Sequence, residues 1–361
     1  MILAITKVMP LLLLLAVANP VKALTIKNVS HEKIPLGSSQ FDRVNIRFAL
    51  DETASVTLNI YDGRDYLVRQ IGAQGLTKGD NAMSWDLADN AGNRVPDGHY
   101  HYTLTATGSV GDPVTYDTTD LTGGDLVLLK NLEWDKKTNR VRYTVDKASL
   151  VNLRAGIDEG GPLLRTLLSW YPRSRGTYTE KWDGNDISGE LDISQLNGVN
   201  LSGTAYTLSS NTIIVGQPVS EPEFIEKLTW DTHQREAQNV KYIGRLKLGV
   251  ANLSDKRDFA VIMEMPENLK KNASGDVVLS GIVPIRITAS EDLLQKINNQ
   301  RFEPVLFVDG KYQSEVELGF LPITWRLDTT KLEPGVHYLA VNLRGFDGEY
   351  GVAIKQFSIE E

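Results

Sequence analysis

The sequence predicts an all-β protein built of tandem immunoglobulin-like sandwiches, and three observations carry that prediction. Short runs rich in Val, Ile, Thr, Leu and Tyr alternate apolar with polar residues, and almost nothing after residue 24 has helical periodicity. Turn residues punctuate these runs at intervals suited to short strands. The Trp-Asp loop of the first such block recurs further along the chain.

The clearest block begins with 42–50, where Val44, Ile46, Phe48 and Leu50 fall on one face. Residues 54–61 follow, with Val56, Leu58 and Ile60 alternating in the same way before the turn dipeptide Asp62-Gly63. Further strands are expected at 67–71, 79–86 and 95–104, separated by the turn-rich loop 89–93. Strands that each bury one face pack into two facing sheets.

Tyr61-Asp62, Trp85-Asp86, Gly92 and Val95-Pro96-Asp97-Gly98-His99-Tyr100 occur in the order found in the Ig-like domain named after the flagellar hook-capping protein FlgD, which this block resembles. The family's Trp-Asp-Gly is here Trp85-Asp86-Leu87, which marks the loop after Trp85 as the place for a local difference. The resemblance implies a fold and little about function, because one scaffold serves many roles. Trp182-Asp183-Gly184 restates the loop, after the strand-like 151–157 and before 203–208, as a diverged second copy would. A further echo pairs Leu132-Glu133-Trp134-Asp135 with Leu228-Thr229-Trp230-Asp231. Residues 279–289, 306–311, 325–330, 334–341 and 347–351 resemble, in order, a different bacterial Ig-like spacer module of secreted and surface proteins. Residues 221–276 resemble no known family, although strands are expected at 242–250 and 259–265; they extend the last module or form a small sandwich of their own. The expected division is a signal peptide over 1–23, a FlgD-type domain over 24–125, a second Ig-like domain over 126–220, and a C-terminal domain with an N-terminal β extension over 221–361.

The signal is read from Lys7, the apolar run 8–18 with five successive leucines, and Val21-Lys22-Ala23, a small-x-small tripeptide suited to cleavage after Ala23. The apolar run is about a dozen residues, against the roughly 20 that a spanning helix needs. No membrane span is expected after cleavage. Net charge is −8 and becomes −10 when Lys7 and Lys22 leave (−8 − 2), which disfavours nucleic acid and anionic membrane as partners. The chain has no cysteine, so disulfides, thiolate metal sites and cysteine nucleophiles are excluded.

No catalytic residue, cofactor or metal is expected. The histidines lack the His-Glu-x-x-His arrangement; His99 and His101 share a strand face, but a metal there would need a third ligand, and the pair reads as solvent-facing residues beside a turn. Asp86, Asp89, Asn90, Asn93 and Asp97, and likewise Asp183, Asn185 and Asp186, offer oxygen ligands for calcium, but these residue types are also what tight turns require, and turn chemistry is favoured. Most tryptophans recur at equivalent places, as core anchors do. Trp170, Tyr171, Arg173 and Arg175 form the one locally basic aromatic segment and are the candidate partner-binding surface.

These observations lead to the expectation of an exported, non-catalytic structural or interaction protein that spaces or docks a periplasmic or cell-surface assembly through a protein partner in the envelope. The alternative is a carbohydrate-binding accessory of a secreted hydrolase system, suggested by the C-terminal resemblance.

Overall fold

The computed structural model describes residues 23–34, 42–63, 65–119, 124–216, 258–296, 301–345 and 349–360. The expected signal peptide, the echo at Trp230 and the strand expected at 242–250 lie outside the described residues. Among the described residues the regular structure is almost entirely strand, in sheets that stack as sandwiches, as the alternating pattern predicts.

The first module contains β1 (Ile26–His31), β2 (Val44–Leu50), β3 (Ala54–Asp62), β4 (Leu67–Leu76), β5 (Gly79–Trp85), β6 (Gly98–Thr107) and β7 (Val114–Tyr116). One sheet has the order β1-β2-β5; in the facing sheet β6, β3 and β4 are neighbours and β7 joins β6. Val44, Ile46, Phe48 and Leu50 from one sheet and Val56, Leu58 and Ile60 from the other are buried in one core, so the period of two places each side chain as expected.

The second module contains β8 (Leu126–Leu128), β9 (Lys130–Asp135), β10 (Arg140–Val145), β11 (Ser149–Ile157), β12 (Leu163–Arg173), β13 (Gly176–Lys181) and β14 (Val199–Thr207). Its sheets are β13-β10-β9 and β12-β11-β14-β8. The next strand, β15 (Thr212–Val215), falls inside the range expected for this module, yet it pairs with β6 and buries Ile213 and Val215 in the first core. The chain therefore crosses between the two modules twice. Buried Asn211 secures the return: Tyr102 donates its N–H to the Asn211 carbonyl (3.1 Å), and Asn211 Nδ2 donates to the Tyr102 carbonyl (2.7 Å).

The repeated Trp-Asp loop has the same geometry in both modules. Trp85 Nε1 donates to the Ala88 carbonyl at 3.0 Å, and Trp182 Nε1 to the Asn185 carbonyl at 2.9 Å. Gly184 has φ +87, and Leu87, standing where the motif has glycine, is also left-handed at φ +54. The expected local difference is thus absent from the backbone. An L-residue held there costs about 1–2 kcal/mol, and complete burial of the Leu87 side chain, worth roughly 1.5–3 kcal/mol, offsets it.

The C-terminal module contains β16 (Phe259–Ala260), β17 (Ile262–Glu264), β18 (Val277–Val278), β19 (Ile282–Thr288), β20 (Phe302–Val308), β21 (Lys311–Glu315), β22 (Ile323–Asp328), β23 (Gly335–Gly345) and β24 (Tyr350–Ile359), with a short helix Glu291–Lys296. The strand expected at 259–265 is divided: β16 pairs with β24 of one sheet and β17 with β19 of the other. Residues 258–276 therefore extend this sandwich.

Candidate functional site

The four residues of the expected partner surface do not form one. Trp170, Tyr171 and Arg173 are buried, and Arg175 alone of the four is exposed. The reason is the strand period. Tyr171 lies opposite Val151 and points into the sandwich, and Arg173, two residues on, points the same way. A register break opposite Val151 and Leu153, with Trp170 at φ +52, turns the indole to the other face, where it packs on Leu150 and lies 5.1 Å from the Tyr206 ring.

Arg173, 2% exposed, is charged and paired inside the module. Its Nε donates to the Tyr143 hydroxyl (3.0 Å) and its Nη2 to Glu180 Oε1 (2.8 Å), while Tyr143 donates its O–H to the same carboxylate oxygen (2.7 Å). The guanidinium lies over the rings of Tyr171 and Tyr178, 4.1 and 4.9 Å from their centroids. Burial works against the charge, but the Tyr143 and Glu180 oxygens outweigh it and hold Arg173 above its ordinary range; burial also pushes the Tyr143 hydroxyl well up.

The histidine pair is separated in role. His101 is buried, with Nε2 at 3.0 Å from Asp65 Oδ1 and its ring stacked on Tyr61 at 5.3 Å, which corrects the expectation of a solvent-facing residue. The Asp- and Asn-rich loops use their oxygens on local backbone. Asp89 Oδ1 accepts from the N–H groups of Ala91 and Asn93, each at 2.9 Å. Asp186 accepts from Leu191 and Ser188 at 2.8 and 2.9 Å, and Asp183 from Asn185 at 2.9 Å. These are the bonds of Asx turns.

His337 is held by two acceptors, Asp309 Oδ2 at 2.6 Å from Nδ1 and the Glu333 carbonyl at 2.8 Å from Nε2. Only the imidazolium donates from both nitrogens. Burial lowers its affinity for the proton, but these two bonds prevail and its pKa lies above the ordinary 6.5. A raised folded-state pKa gives stability that is complete below 6.5 and is lost as pH rises through the folded value. The melting temperature is expected to fall over that rise in the native chain and to fall less steeply in His337→Gln, a difference readable by circular dichroism melts across the neutral range.

A heavily bonded polar site lies between the second and C-terminal modules. Asp258 Oδ1 accepts from Arg154 Nη2 (2.7 Å) and the Tyr350 N–H (2.9 Å); Oδ2 accepts from Arg154 Nε (3.1 Å), Arg154 Nη2 (2.9 Å) and Thr166 Oγ1 (2.5 Å). The Asp258 N–H donates to Ser169 Oγ (2.8 Å), and the Arg154 guanidinium lies 4.4 Å from the Tyr350 ring centroid. Nearby, Leu163 donates its N–H to Asn342 Oδ1 (2.8 Å), and Asn342 Nδ2 donates to the Leu163 carbonyl (2.7 Å). Beneath these bonds Phe307, Tyr338, Ala340, Val352 and Ile354 are buried in one cluster with Leu164, Leu167 and Leu168. The Asp309-Gly310 turn, with φ +49 and +76, comes close as well: a Cβ at Gly310 would sit 2.9 Å from Ile157 Cδ1. Sequence reasoning missed Asp258, because it stands in the segment without resemblance and its partners are about a hundred residues away in the chain.

The fold of the first module agrees with its motif. Residues 33–109 match the FlgD Ig-like domain. The FlgD Ig-like match covers the block from β2 to β6 and stops short of β15, which completes the sheet from beyond the second module. No curated protein matches the chain. Among solved structures, the sulfur carrier protein SoxY from Chlorobium limicola f thiosulfatophilum aligns at 11% identity over 31% of this chain and 92% of that one, TM-score 0.20. The tetra-tandem repeat in the extending region of a large adhesion protein aligns at 14% identity over 93% and 75%, TM-score 0.19. A bacterial ice-binding adhesin aligns at 11% over 94% and 99%, TM-score 0.18. Alignments with such scores carry nothing about role. No helix among the described residues is long and apolar enough to cross a membrane.

Proposed function

We propose that the chain is an exported, non-catalytic structural protein whose sandwiches space or dock a periplasmic or cell-surface assembly through a protein partner of the envelope. In this reading the signal is cleaved after Ala23 and the modules follow the division given above, with Thr212–Val215 lent to the first sheet. The observation that carries it is the way the modules are joined. The first and second are connected by two chain crossings and a shared ladder, and the second and C-terminal modules bury one common core pinned by Asp258. Joints of this kind hold spacing and orientation, which a flexible linker does not. The carbohydrate-binding alternative has less support: Trp85, Trp170 and Trp182 are buried and offer no stacking platform, and Trp134 and Trp325 are half-buried.

Crosslinking and affinity capture of the tagged mature chain from its native envelope, followed by mass spectrometry, tests the proposal. A stoichiometric protein partner is the expected result. Recovery of glycan alone, or of no partner, would overturn it.

A further inference from the structure

The sheet β12-β11-β14-β8 ends differently on its two sides. At β12, Asn342 binds both backbone groups of Leu163, and Asp258 engages Thr166 and Ser169. At β8, no described residue pairs with the outer edge, and Leu126, Val127 and Leu128 are 58%, 40% and 78% exposed. The direction of the β8 backbone follows from two bonds: Leu129 donates its N–H to the Gly203 carbonyl, and Thr207 donates to the Asp125 carbonyl. Successive residues of a strand turn their N–H and C=O to opposite sides. Residues 125, 127 and 129 thus face β14, and both backbone groups of Leu126 and of Leu128 face outward. Edge strands are ordinarily kept apart by charge, proline or a bulge. The edge strands β4 and β21 carry register breaks and charged residues; β8 is three apolar residues in unbroken register.

We propose that β8 pairs antiparallel with β8 of a second copy about a two-fold axis through Val127. The strand is complementary to itself in that register, which uses both of its outward-facing residues. Leu126 of each copy lies opposite Leu128 of the other, so the outward N–H and C=O groups meet in two reciprocal pairs. The two Val127 residues meet at the axis in the closer, non-hydrogen-bonded position. On one face the leucines of both copies form an apolar strip beside Tyr206, which lies opposite Leu126. Asp125 precedes the strand and Lys130, which pairs with Asp146 of its own chain, follows it; both are exposed, and the antiparallel arrangement brings the acidic end of each copy near the basic end of the other. Because the β12 edge is covered by the C-terminal module, the pairing closes at two copies and does not propagate. This dimer goes beyond the spacer reading and does not depend on it.

The full chain has no cysteine, so Val127→Cys places a single thiol on the axis. Residues in a non-hydrogen-bonded pair have Cα atoms about 4.5 Å apart, within disulfide range. Mild oxidation is expected to convert most of the V127C chain to a covalent dimer. Val110→Cys, at a 63% exposed position in the first module, gives the collisional background. Sedimentation equilibrium is expected to show a monomer–dimer equilibrium that Leu128→Lys weakens about tenfold or more. A chain that sediments as a monomer, with V127C crosslinking no faster than V110C, would overturn the proposal. So would a monomer whose Leu126 and Leu128 amides exchange slowly, because the edge would then be covered by its own chain.

Discussion

Replacing Asp258 with alanine is expected to separate the unfolding of the second and C-terminal modules into two transitions, where a single joint transition is expected of the native chain. The carboxylate is buried and receives five hydrogen bonds from Arg154, Thr166 and Tyr350. Its removal leaves a guanidinium that is only 16% exposed without its counter-charge. Breaking a buried pair by removing one partner costs about 3–5 kcal/mol, and the lower end applies here because Arg154 keeps some access to water. Asp258→Asn keeps an acceptor for the Tyr350 N–H and loses the charge, so an intermediate cost of about 1–3 kcal/mol is expected. Differential scanning calorimetry of both variants reads the effect. A single unshifted transition in Asp258→Ala would mean that the apolar cluster under the ion pair couples the modules alone.

The second large effect is expected inside the second module. Arg173→Ala removes a buried cation and leaves the Glu180 carboxylate, 16% exposed, beside the Tyr143 hydroxyl with no positive partner. It also strips the packing of the guanidinium between Tyr171 and Tyr178. A loss of about 3–5 kcal/mol is expected in urea unfolding of the full chain. The double variant Arg173→Met with Glu180→Gln replaces the pair by uncharged groups of similar size, and such replacements are often neutral or stabilising by about 1–4 kcal/mol. Rescue by the double variant would show that the cost of Arg173→Ala is an uncompensated charge. Failure to rescue would place the cost in packing against the tyrosines.

The two sites differ in how they relate to the chain. Arg173 and Glu180 are seven residues apart and flank the turn between consecutive strands of the two facing sheets, so their meeting is nearly local. The aromatic and basic composition around Trp170 reads equally as a surface or as a buried cation with its rings. What decides is that Tyr171 and Arg173 share the inward face, a consequence of where β12 pairs with β11. Asp258 meets Arg154 and Tyr350 across separations of about a hundred residues, and no local pattern announces a contact of that kind.

The sequence by itself determined the all-β class, the alternation that buries Val44 to Leu50 and Val56 to Ile60, and the repeated Trp-Asp loop of the first two modules, because each depends on neighbours within one or two strands. The left-handed turn through Leu87, where the sequence pointed to a local difference, is kept because the burial of one side chain offsets an unfavourable backbone. Only the tertiary structure decided that β15 returns to the first sheet, that Asp258 joins two modules, and that among the described residues nothing pairs with the outer edge of β8 while β12 is covered. The period of a strand says which face of it is apolar. Which strand lies beside it is settled by packing between segments far apart in the chain, and that information is not local.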